Sequence, residues 1–120
     1  MSQIHTTPQV AVLDDVLRTI VERIVDAVKP DAIILFGSHA LDSSQSDSDI
    51  DLLIIESAPF AGARSRLREI GRIELAIGSI PVPTDVVVYS RDEVERFRGY
   101  PNHVVSHALN EGRVLYDARR

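Results

Sequence analysis

The sequence predicts an α/β (α+β) domain, a small mixed sheet of about four strands flanked by helices. Three observations carry this. Short apolar runs at Ala32–Phe36, Leu52–Ile55 and Val86–Tyr89 have strand length, and Arg113–Tyr116 adds a fourth. Segments of helical apolar spacing separate most of them. Proline and glycine punctuate the junctions at Pro30, Gly37, Pro81, Pro83, Gly99 and Gly112.

Each element has a local reason. Thr7 is placed to cap a helix with Pro8 at its first position. Leu13, Val16, Leu17, Ile20, Val21, Ile24, Val25 and Val28 then recur at helical spacing, and Lys29-Pro30 ends the run. Strands are expected at 31–36 and 50–56, with loop or one helical turn at Ser38–Gln45. Pro59 is expected to open a helix to Gly78, with Leu67, Ile70, Ile73 and Ile77 inward. A third strand covers 84–89. Ser90-Arg91-Asp92-Glu93 has the form of a capping box for a short helix, which Gly99-Tyr100-Pro101 breaks. A last helix at 102–111 stops at Gly112, before the short strand 113–116.

With 120 residues, one domain spanning 1–120 is expected, its polar first seven residues disordered. The absence of cysteine excludes a disulfide framework and a cysteine metal site. No signal peptide and no apolar run of membrane-spanning length is present, so the expected address is cytoplasmic. A net charge of −5 argues against direct nucleic-acid binding.

The chemistry concentrates in one pattern. Gly37-Ser38 closes the first strand, ten residues follow, and Asp49-Ile50-Asp51 opens the second. Asp85 opens the third. Side chains two apart on a strand share a face, so Asp49 and Asp51 can converge. Hard carboxylate oxygens suit Mg²⁺ or Mn²⁺. Two such ions about 3.5–4 Å apart can clamp an in-line displacement at phosphorus. Gly37 lets the backbone approach a phosphate, and Ser38 with its neighbouring N–H groups can cradle phosphate oxygens. No Lys or Arg lies between residues 39 and 63, an acidic stretch of the kind a metal site needs.

Here the resemblance becomes specific. GSHALDSSQSDSDIDLLII is similar to the signature of the minimal nucleotidyltransferases, of the DNA polymerase β-like nucleotidyltransferase superfamily. The tail HVVSHALNEGRVLYD resembles that family's closing helix and strand, so the likeness covers roughly residues 10–117. It implies the polymerase β-like fold and metal-dependent transfer of AMP from ATP. Asp49, Asp51 and Asp85 would be catalytic and metal-binding, and Gly37 and Ser38 would hold the triphosphate. It also implies an antitoxin role beside a HEPN-domain ribonuclease toxin, with a toxin tyrosine as acceptor. The family often continues Gly-Ser-x-Ala-Arg-Gly, whereas here Leu41-Asp42 replaces Arg-Gly. That departure removes an arginine and adds a negative charge. It slightly favours the alternative, a non-catalytic antitoxin that neutralises its partner by contact, against which the intact Asp49, Asp51 and Asp85 trio argues.

Other signals are set aside. His103 and His107 are four apart, but neither a cysteine nor a HExxH glutamate accompanies them, so a solvated or half-buried pair is the better reading. Arg98 and His103 fit the Arg-x4-His spacing of HEPN ribonucleases, but Gly99-Tyr100-Pro101 interrupts the helix between them. Arg64, Arg66, Arg68 and Arg72, expected on one helix, could dock a partner. A homodimer is also admitted.

Overall fold

The structure, a computed structural model, describes the backbone of residues 8–37, 40 and 49–119, with side chains from Leu13 onward. The elements run α1 (Pro8–Val28), β1 (Ala32–Phe36), β2 (Ile50–Glu56), α2 (Arg66–Ile77), β3 (Thr84–Ser90), α3 (Arg91–Phe97), α4 (Val104–Glu111) and β4 (Arg113–Asp117). The sheet order is β3-β2-β1-β4. β1 pairs antiparallel with both β2 and β4, while β2 and β3 are parallel. The crossover between the parallel strands is α2, as a parallel pair requires.

The two central strands read as unbroken apolar runs because both faces of the sheet are covered. Ile33 and Leu35, Ile50, Leu52 and Ile54, and Val86 and Val88 pack against Leu17, Ile20 and Ile24 of α1 and Ile73 and Ile77 of α2. Ala32, Ile34, Leu53 and Ile55 face the other way, toward Val94 of α3 and Val105 and Ala108 of α4. Gly112 lets α4 turn into β4. A Cβ there would lie 2.3 Å from the Ala108 carbonyl oxygen and 2.5 Å from Ile34 Cγ2. Among the described residues, no helix is long and apolar enough to cross a membrane.

One helix begins later than expected. α2 starts at Arg66, not at Pro59, because Ser65 is extended and its hydroxyl accepts from the Arg68 N–H. Upstream, the chain doubles back so that Arg64 reaches Glu56 at the end of β2. Phe60 lies 4.4 Å below the Arg64 guanidinium. Leu67, expected inward, is 79% exposed, and the buried position beside it is taken by Glu69. The Ser90–Glu93 capping box forms as expected.

The four arginines are not a free docking row on one helix. Arg64 precedes α2 and pairs with Glu56 and Glu69. Arg66 makes a two-pronged pair with Glu93 and donates to the Val88 carbonyl at 2.7 Å. Arg72 pairs with Glu69 and donates to Ala27 O at 2.9 Å, tying α2 to α1. Only the Arg68 side chain keeps no partner among the described residues. Burial and contact with Glu69 push the Glu56 carboxyl up to about 7, against the pull of Arg64.

Candidate active site

The site is built where three strand ends meet. β1 ends at Phe36, which lies opposite Asp51 in the antiparallel ladder. The next residue, Gly37, turns the chain with φ 77°. A side chain would be strained by that angle and would have no room: a Cβ would fall 2.5 Å from Asp51 Oδ2. The carboxylate of Asp51 therefore lies directly against the glycine turn. Ala40 N donates back to Gly37 O at 3.2 Å and closes the turn.

Asp51 also faces Asp85. The parallel ladder sets Asp51 opposite Asp85, each the second residue of its strand. Adjacent strands lie about 4.8 Å apart, and paired residues point to the same face. That face is the one shared by Leu53 and Ile55, against α3 and α4. Asp51 is half-buried and Asp85 is exposed. The Ile50 N–H donates to Pro83 O at 2.9 Å, extending the ladder to the start of both strands.

Asp49 stands one residue before β2 and is exposed. Among the described residues, no three Asp, Glu, His or Cys side chains gather closely enough to hold a metal ion. The donor set nonetheless fits a hard divalent cation, being all carboxylate oxygen. The Gly37 turn fits a phosphate, since its missing side chain leaves backbone within reach. Ser38 and the Leu41-Asp42 departure lie outside the described residues.

His103 caps α4, its Nδ1 accepting from Val105 N at 3.1 Å, and it stacks on Phe97 at 4.2 Å. His107 is exposed, with Glu111 at 3.8 Å. One feature escaped the sequence reading. An open cavity of about 360 Å³ lies at the end of α2, lined by Ile77, Ile80, Val82 and Pro83 with Glu74 and Thr84. It borders the start of β3. Its only sequence signal is the apolar residues interleaved with Pro81 and Pro83.

A glycine turn against a carboxylate, with a second carboxylate in register beside it, suits chemistry on a phosphate ester. The nucleotidyltransferase domain family matches residues 17–115, a span that includes Gly37, Asp49, Asp51 and Asp85. The chain belongs to this family. Among curated proteins, none matches it in sequence. Solved structures share the fold, two of them as follows. One is a candidate nucleotidyltransferase from Sulfolobus solfataricus, with TM-score 0.64 at 16% identity over 99% of this chain and 96% of that one. The other is a chain of a toxin–antitoxin structure with AMP-PNP, with TM-score 0.56 at 18% identity over 86% of this chain and 74% of that one.

Proposed function

We propose that this nucleotidyltransferase moves AMP from ATP to a hydroxyl of a protein acceptor, a tyrosine of a HEPN ribonuclease toxin, and so acts as its antitoxin. The observation that carries the transferase reading is the register of Asp51 against Asp85 beside the Gly37 turn. The antitoxin reading draws on the likeness to a chain of a toxin–antitoxin structure that contains AMP-PNP, and on the signature in residues 37–55.

In this reading Asp49, Asp51 and Asp85 would hold Mg²⁺ or Mn²⁺. The ions would supply charge neutralisation on the phosphates and a fixed line of attack. The chain's own residues do the rest. The backbone at Gly37, with Ser38, holds the β and γ phosphates. Asp85, exposed at the strand start, takes the proton of the acceptor hydroxyl. The acceptor oxygen bonds to the α-phosphorus, and the bond to pyrophosphate breaks. Positioning and charge account for most of the acceleration.

The test is incubation with ATP, Mg²⁺ and a HEPN-domain ribonuclease, read by intact-mass spectrometry. Added AMP on the ribonuclease is expected, and none with Asp51→Asn. Neutralisation of the ribonuclease by wild type and Asp51→Asn alike, with no mass change in either, would instead establish the contact-only antitoxin.

A further inference from the structure

Helix α2 leaves one face unpacked. Its other face buries Glu69, Ile73 and Ile77. Leu67, Gly71 and Leu75, four apart, form a row along the outward side. Leu67 is 79% exposed and Leu75 84%. Arg68 and Glu74 flank this row on opposite sides, each three residues from Gly71. Both are exposed, and neither side chain has a partner among the described residues.

A lone exposed leucine carries no information. This row is different because it is self-complementary. Two leucines stand at equal distances from a glycine, and two opposite charges do the same. The glycine itself needs a reason. Glycine inside a helix weakens it, and a Cβ at Gly71 would meet nothing within 4 Å among the described residues. Nothing in the packing of those residues calls for it.

We propose that this face is a two-fold interface between two copies of the chain, with α2 crossing α2 at Gly71. Rows of residues four apart align when helices cross at about 50°. With the two-fold axis along the row, the helices run in the same sense. Leu67 then meets Leu67 of the second copy, and Leu75 meets its counterpart. Gly71 sits at the crossing, where a missing side chain lets the backbones close. Arg68 falls beside Glu74 of the second copy, and the reverse pair forms by symmetry. Running the helices oppositely would set Arg68 against Arg68 and Glu74 against Glu74, which like-charge repulsion disfavours. The row faces away from the sheet, so the Asp51–Asp85 edge of both copies stays open. This inference is independent of the transfer chemistry.

Sedimentation equilibrium from micromolar to about 1 mM protein should show a reversible dimer. Leu75→Asp should weaken it at least about tenfold. Arg68→Glu should weaken it, and adding Glu74→Arg to that variant should restore it. The sequence has no cysteine, so Leu67→Cys gives one reporter. Under oxidation it should form a 67–67 disulfide dimer. In a mixture of Leu67→Cys and Leu75→Cys chains, only same-position links should appear. All these positions are exposed, and circular dichroism checks that each variant is folded. A monomer at every concentration overturns the proposal, even if Leu75→Asp then impairs binding of a different protein. So does a dimer that survives Leu75→Asp, a double charge variant that stays weak, or 67–75 links.

Discussion

Asp51 Oδ2 occupies the space that a side chain on Gly37 would need, 2.5 Å from the position of its Cβ. Gly37→Ala therefore meets two costs. The left-handed φ of 77° is unfavourable for alanine by about 1–2 kcal/mol. The methyl also displaces the Asp51 carboxylate. A Tm lower by several degrees is expected, with transfer lost. Calorimetry and an ATP-dependent labelling assay check both. Wild-type activity in this variant would show that the turn and the carboxylate act separately.

Asp51 and Asp85 are like charges held opposite each other on parallel strands. Asp51→Asn and Asp85→Asn should each abolish transfer, and Asp85→Asn, at an exposed position, should leave the Tm unchanged or slightly raised because repulsion is relieved. In wild type, Mg²⁺ and ATP together should raise the Tm more than either alone. At a hundredfold excess over Kd such binding adds about 2.7 kcal/mol. Both variants should lose that joint shift, as should Asp49→Asn. Thermal scans with MgCl₂, ATP or both decide this without any activity assay. A full joint shift in Asp51→Asn would remove that residue from the site.

Much of this was legible in the sequence, for local reasons. Ile50–Glu56 and Ala32–Phe36 are strands because continuous β-branched and leucine runs suit strands buried on both faces. Ser90-x-x-Glu93 announces its helix because the capping box is a four-residue device. What failed depends on distant partners. Pro59 suggests a helix start, but Arg64 reaching Glu56 holds the chain out of helix until Ser65. Leu67 is apolar yet outward, and buried Glu69 is inward because Arg64 and Arg72 pair with it. The spacing singles out Asp51 and Asp85 as candidate carboxylates. Their opposition is not legible there, because it depends on a register set across the α2 crossover.

Gly112 is required by space and not by its φ of −81°, which any residue adopts. A Cβ would collide with the Ala108 carbonyl and Ile34 Cγ2, and it would lie 2.9 Å from the Leu35 carbonyl. Backbone atoms cannot yield as a side-chain tip can. Gly112→Ala should cost about 2–3 kcal/mol through overpacking at the α4–β4 junction. Urea unfolding should show a lower midpoint with an unchanged slope. A loss under about 0.5 kcal/mol, within the range of ordinary surface substitutions, would mean that α4 shifts freely against β1.

The last prediction concerns pH. Glu56 is 5% exposed, and one of its carboxylate oxygens lacks a hydrogen-bond partner among the described residues. Burial first, and then Glu69, raise its carboxyl from 4.5 to about 7. The folded chain thus keeps a proton that the unfolded chain releases above pH 4.5. Stability from this group is fully present below that value and falls as pH rises through 7, by about 3 kcal/mol in all. Glu93 acts in the opposite sense. Its pairing with Arg66 lowers its carboxyl to about 2, so its contribution is present above pH 4.5 and is lost as pH falls toward 2. Together they place the stability maximum in the mildly acidic range. Glu56→Gln keeps an acceptor for Arg64 and removes the titration. It should come close to wild type near pH 5 and exceed it by about 3 kcal/mol at pH 8. Urea unfolding of both proteins across this range tests it. A Glu56→Gln variant less stable than wild type at pH 8 would mean that the ionised Glu56–Arg64 pair outweighs the cost of burying it.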